Sequence, residues 1–89
     1  MKKVKESENE KLRKKIEHFL QNVYAEEWHV KLVDNVYICY YTDIEIMSIS
    51  YDTLIEEWYV TGESLSMEML YDLYKFITEI VGFNYENNN

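Results

Sequence analysis

The 89-residue chain has only two glycines, Gly62 and Gly82. Both read as element ends, so no glycine-rich loop that cradles phosphate can be built. A single cysteine, Cys39, excludes an intrachain disulfide and suits a reducing compartment. No histidine or cation shares its strand face to activate it, so it reads as a small core residue. Histidine is scarce as well: His18 falls on a helical stretch and His29 on a strand, neither in a cluster with metal-ligand spacing. No metal and no cofactor is expected. No run approaches the ~20 apolar residues of a membrane span, and no apolar stretch of signal-peptide length follows the basic residues 1–5. A soluble cytoplasmic protein without membrane contact is the expectation.

Basic side chains are the scarcest of all beyond residue 15. Residues 1–15 carry seven Lys and Arg against three acids, a net +4, whereas residues 16–89 carry only Lys31 and Lys75 against fourteen acids, a net −12. The whole-chain charge of −8 conceals this asymmetry. Such a body repels nucleic acid and anionic lipid and is drawn to basic surfaces.

Apolar and aromatic residues are plentiful, at 47% and 16%, with nine tyrosines. That is enough core for one domain near the lower size limit, expected over residues 7–83 between a basic disordered tail at 1–6 and a polar disordered tail at 84–89. Residues 28–51 hold the densest β-forming run, broken by Asp34-Asn35 and Thr42-Asp43, two dipeptides at hairpin spacing. Strands over 28–33, 36–41 and 44–51 follow.

If both turns hold two residues, Trp28, Val30, Leu32, Tyr37, Cys39, Tyr41, Ile44, Ile46 and Ser48 share one face, which is the expected core face. The opposite face carries His29, Lys31, Val33, Val36, Ile38, Tyr40, Glu45, Met47, Ile49 and Tyr51. Its apolar part, Val36, Ile38, Tyr40, Met47 and Ile49, needs a cover, for which a second copy in a homodimer or a partner protein is the candidate.

A capping box, Ser7 with Glu10, opens a helix over about 8–25 whose Leu12, Ile16, Phe19, Leu20 and Val23 form an apolar stripe. Lys11, Arg13, Lys14 and Lys15 fall mostly off that stripe and read as solvated. A second helix starts at Ser66, carries Leu70, Leu73, Ile77 and Ile80 inward with Met69, Phe76 and Val81, and ends at Gly82. Between them residues 53–61 are open to two readings. One is a short helix with Leu54, Ile55 and Trp58 inward; the other is a fourth strand beside 44–51. The fold class is therefore α+β, a three- or four-stranded antiparallel meander with an N-terminal and a C-terminal helix packed on one face.

No constellation for catalysis is present. The paired carboxylates Glu26-Glu27 and Glu56-Glu57 sit in exposed-looking segments, and no serine or cysteine has a positioned base and oxyanion hole. The chain reads as a binding protein and not an enzyme. Under the register above, Asp34, Asp52, Glu56 and Glu57 fall at one end of the sheet and Glu26, Glu27, Asp43 and Glu45 at the other. Glu68, Asp72 and Glu79 make a row on the last helix. Strand i,i+2 and helix i,i+4 positions hold carboxylates ~5 to 7 Å apart, close to the separation of successive backbone phosphates.

In length, acidity, aromatic content and helix–meander–helix layout the chain resembles the small acidic DNA-mimic and host-takeover inhibitors made by bacteriophages, including anti-restriction, anti-CRISPR and nucleoid-protein inhibitors. The likeness lies in composition and layout, without a shared motif, and the basic leader departs from it. It implies an inhibitor in the host-cell cytoplasm that competes with DNA for a basic DNA-binding protein: a nucleoid-associated protein, a nuclease or a restriction or CRISPR effector. The acidic surface of Glu26, Glu27, Asp34, Asp43, Glu45, Asp52, Glu56, Glu57, Glu68 and Asp72 would make the contact, with no direct nucleic-acid binding. The alternative is a non-mimetic interaction module that uses the apolar sheet face.

Overall fold

Ser7 starts the first helix as the sequence implies: its Oγ accepts the Glu10 N–H at 3.1 Å. A computed structural model of the chain describes residues 7–63 and 65–82. The elements are α1 (Glu8–Val23), β1 (Trp28–Val33), β2 (Val36–Tyr41), β3 (Ile44–Asp52), β4 (Glu57–Gly62) and α2 (Met67–Ile77), the last prolonged by a π-helical turn, Thr78–Gly82. The tails expected at 1–6 and 84–89, residue 83 and the Val81 side chain lie outside the described residues. Glu10 departs from the capping-box expectation, because its carboxylate accepts from Arg13 Nε at 2.8 Å. Leu12, Ile16 and Leu20 are buried as the stripe requires. Val23 is 54% exposed, since the helix stops there and both the Tyr24 and Ala25 N–H groups fold back onto the Leu20 carbonyl.

The four strands form one antiparallel sheet in the order β1-β2-β3-β4. Asp34 and Asn35 both take positive φ, 51° and 66°, the twist-matched two-residue turn that aspartate and asparagine tolerate. In the next turn Thr42 stands at φ 55°, a left-handed conformation that a β-branched residue adopts only under strain. Residues 53–61 resolve as the strand reading. Asp52 Oδ1 accepts the Leu54 N–H at 2.8 Å, Glu56 turns left-handed at φ 55°, and β4 returns along β3. Leu54 and Ile55 are exposed at the tip of this loop, and Gly62 ends a strand, not a helix. A side chain at Gly62 would strike the Ile46 carbonyl oxygen at 2.7 Å, so the glycine permits close approach to β3.

The register between β1 and β2 is the one expected, from Trp28↔Tyr41 to Val33↔Val36. Between β2 and β3 it begins as expected, Tyr41↔Ile44 and Tyr40↔Glu45, and then slips: Cys39 faces Met47 and Tyr37 faces Ile49. A β-bulge inserts Ile46 and inverts the parity of the rest of the strand. Met47 and Ile49, expected on the open face, are 2% and 0% exposed in the core. Ser48 moves to the open face, where its hydroxyl bonds Thr61 Oγ1 at 2.8 Å. Tyr41 and Ile44, expected inside, are exposed. Burying a methionine and an isoleucine is worth about 1.5 to 3 kcal/mol each, more than the disrupted ladder at one bulge costs.

Both helices lie on the same face of the sheet. Ile16 and Leu20 from α1 and Leu73 and Ile77 from α2 meet Cys39, Met47 and Ile49, all fully or almost fully buried. Ser66 caps α2 through the Met69 N–H at 3.1 Å. Phe19 stacks on Phe76 with centroids 4.3 Å apart, and Tyr24 OH donates to Asp72 at 3.2 Å, joining the helices to each other.

Arg13 is the clearest departure from the solvated basic face. Its Nη1 donates to the Val30 carbonyl at 3.0 Å, Glu17 Oε2 accepts the Val30 N–H at 3.0 Å, and Gln21 Nε2 donates to the Trp28 carbonyl at 2.8 Å. Asn9, one turn earlier, donates to Asn35 Oδ1 and accepts from Tyr37 OH. Positions 9, 13, 17 and 21 are thus one i,i+4 row of α1 laid along the outer edge of β1. That row occupies backbone groups an edge strand would otherwise present to solvent.

Two substitutions test this account. Glu17→Leu, which strands the Val30 N–H and removes one partner of Arg13, is expected to cost about 2 kcal/mol in urea unfolding and to speed amide exchange at Val30, with Glu17→Gln costing less. Thr42→Gly, which relieves the left-handed strain, is expected to stabilise by about 1 kcal/mol in the same assay.

Candidate protein-interaction surface

The meander sorts the acidic residues by strand direction. Because β1 and β3 run one way and β2 and β4 the other, the Asp34 turn and the 53–56 loop share one end of the sheet. Asp34, Asp52, Glu56 and Glu57 are therefore together there. At the other end are Glu26 and Glu27, which lead into β1, and Asp43 and Glu45 at the second turn. Glu63, which the sequence reading passed over, follows β4 at that end and is exposed. Glu68 and Asp72 lie apart from both groups, on α2. Strands of six residues set the two ends about 17 to 20 Å apart, so the ten acids form three groups and not one cluster.

Eight of the ten are exposed; Asp52 and Asp72 are half-buried. Those two do local structural work, Asp52 holding the Leu54 amide and Asp72 accepting from Tyr24. Burial first, and then the Asp72 carboxylate, raise the Tyr24 phenol above its ordinary value. Among the described residues all three ion pairs lie within α1: Lys11 with Glu8, and Arg13 with Glu10 and Glu17. No acid of the sheet, its turns or α2 pairs with a basic side chain among the described residues, although Lys75 stands on α2 within one turn of Asp72 and Glu79. Asp52 is moreover directly opposite Glu57, two carboxylates facing across one strand pair. A like-charge pair so placed destabilises a sheet.

The open sheet face is less apolar than expected. With Met47 and Ile49 turned inward, its apolar and aromatic residues reduce to Val36, Ile38 and Tyr40 on β2, Val33 beside them, and Tyr59, which stands apart on β4 opposite Ser50 and is 41% exposed. His29 and Lys31 flank this ridge on one side and the hydroxyls of Ser48, Ser50 and Thr61 on the other. Lys31 Nζ lies 5.2 Å from the Tyr40 ring centroid, a cation–π contact that covers part of the ridge. Polarity at both borders makes it a poorer cover site than the sequence pattern implied.

Chemistry finds little purchase. Cys39 is fully buried, and burial, with a smaller contribution from Glu17, pushes its thiol up to about 12, far from a nucleophile at neutral pH. Among the described residues no group of His, Cys, Asp and Glu is arranged to hold a metal ion. An open groove of about 460 Å³ lies where β4 stops at Gly62 while β3 runs on through Ile46 to Ile44. Glu45 and Glu63 border it. Among the described residues no helix is long and apolar enough to cross a membrane.

The inverted parity of β3 has a direct test. Met47→Lys places a charge in the core and is expected to unfold the domain, whereas Ile38→Lys on the open face is expected to keep the fold and lose at most about 1 kcal/mol, both read by circular dichroism and urea titration. Comparison with protein-family models, with curated proteins and with solved structures finds no match to this chain.

Proposed function

We propose that this protein is a non-catalytic binding inhibitor, acting in the cytoplasm, that occupies the DNA site of a basic DNA-binding protein with its own carboxylates. The observation that carries this reading is the pattern of ion pairing. On α1 the acids Glu8, Glu10 and Glu17 are paired with Lys11 and Arg13; those at the two ends of the sheet and on α2, all exposed but the half-buried Asp52 and Asp72, have no cation partner among the described residues. Solubility asks only for net charge, and interspersed cations would serve it as well. Keeping Asp52 opposite Glu57 costs stability, which is understandable where a partner supplies the missing positive charge.

The mechanism is competition. Strand ends, the turns between them and a helix carry the carboxylates, the partner's lysines and arginines close on them, and DNA is kept out; no bond is made or broken. Screening shortens such attraction to ~10 Å at 0.1 M salt, so complex formation weakens steeply as salt rises. The open sheet face, deprived of Met47 and Ile49, is the weaker site for this task.

The test is capture from a bacterial lysate on the immobilised protein at low salt. A basic DNA-binding protein that duplex DNA or salt releases is the expected catch, and changing Glu26, Glu27, Glu56 and Glu57 together to Gln is expected to weaken its binding on the order of tenfold. Retention indifferent to DNA, salt and those four substitutions would sink the reading.

A further inference from the structure

The two edges of the sheet are treated differently. At β1 the outward Trp28 carbonyl and both Val30 backbone groups are taken by Gln21, Glu17 and Arg13, and the Trp28 N–H donates to the Ala25 carbonyl. At β4 the Val60 N–H donates to Tyr74 OH at 3.0 Å. That bond shows which residues turn their backbone outward. Val60 does, and so by alternation do Trp58 and Gly62, while Glu57, Tyr59 and Thr61 bond to β3. At the end of the strand the Leu65 side chain comes up against Gly62, its Cδ1 2.9 Å from where a Cβ would stand, and among the described residues no other hydrogen bond from a side chain to Trp58, Val60 or Gly62 is made.

Among the described residues little else blunts it. β4 pairs with β3 through six consecutive residues without a bulge and carries neither lysine nor proline, so, apart from the Val60 N–H held by Tyr74, it offers a regular template for another strand. Charge decides what can use it. Glu56 and Glu57 precede the edge and Glu63 follows it, all exposed. A second copy would bring these acids against their own kind, whereas a cationic segment meets them with opposite charge.

We propose that the outer edge of β4 accepts an extended lysine- or arginine-bearing segment of a partner protein as a fifth strand. Its backbone pairs with Trp58, Val60 and Gly62, the Val60 N–H passing from Tyr74 to an incoming carbonyl. Alternate side chains of the segment lie on the open face, where cations reach Glu57 and Glu63. Those between them lie beside Trp58 and Tyr74 and are uncharged. The proposal takes from the function above only that the partner is basic, and it adds where and in what conformation part of that partner is held.

The experiment titrates the full-length, nitrogen-15-labelled chain at low salt with a short peptide alternating lysine and threonine. A second titration uses the same peptide methylated on alternate backbone nitrogens, which keeps its charge but removes its strand-pairing donors. Shifted and exchange-protected amides at Trp58 and Gly62 are expected for the first, with about tenfold weaker binding for the second. Equal affinity of the two peptides overturns strand addition and leaves the acidic-surface reading standing, as does binding that leaves both amides unchanged. Strand addition by the first peptide, combined with a lysate capture that DNA and salt do not affect, retains the β4 site and removes the DNA-competition reading.

Discussion

A backbone amide or carbonyl turned out from an edge strand must find a partner or stay in water, and α1 meets this demand for β1 with side chains. Arg13, Glu17 and Gln21 can reach Trp28 and Val30 only if the helix runs beside the strand at a fixed height. That placement turns the neighbouring row, Leu12, Ile16 and Leu20, down onto the sheet. Asn9 pins the other end to the first turn and to Tyr37. The polar row therefore determines where the apolar row lands, and the site of the core follows from it. Hydrogen bonds to charged groups contribute about 1.5 to 3 kcal/mol each where they are shielded, so a half-buried set of this kind matters to a domain this small.

Much of the fold was legible because it depends on short-range signals. Asp34-Asn35 is a strong hairpin dipeptide, Ser7 and Ser66 are N-caps, and the two helical stripes recur at the proper period. The turns alone misled at β3, where counting outward from Thr42-Asp43 placed Met47 and Ile49 on the wrong face. The corrective signal was present: Met47, Ile49 and Tyr51 alternate with Ser48 and Ser50, a clean inside–outside pattern one residue out of step with Ile44 and Ile46. Pattern and turn disagreed, and the bulge is how the chain satisfies both. The row at 9, 13, 17 and 21 was hidden because polar residues one turn apart look solvated unless the strand beside them is known. Of the candidate surface, the division of acids between two sheet ends was readable from strand direction. Their lack of cation partners among the described residues needed coordinates, as did the asymmetry of the two edges.

The distribution of charge and the distribution of stability are thus separate in this molecule. Cations are concentrated on the helix whose ion pairs build the edge, leaving the sheet ends and α2 almost purely acidic. With no disulfide to help, the fold rests on the small set of fully buried residues from Ile16 to Ile77. A domain built this way tolerates uncompensated surface acids only to the extent that its core is well packed.

The Phe19–Phe76 stack bears on how the chain assembles. Every strand pairing joins sequence neighbours and closes a small loop, so the meander can zip at low entropic cost. The stack, in contrast, joins the helix before the sheet to the helix after it, the most sequence-distant ring contact among the described residues. Until both helices have docked, Met47 and Ile49 are not fully roofed, and a folding chain presents an apolar sheet to its neighbours. Mutual repulsion between acidic bodies guards that interval, giving the charge a role during synthesis that precedes any encounter with a partner.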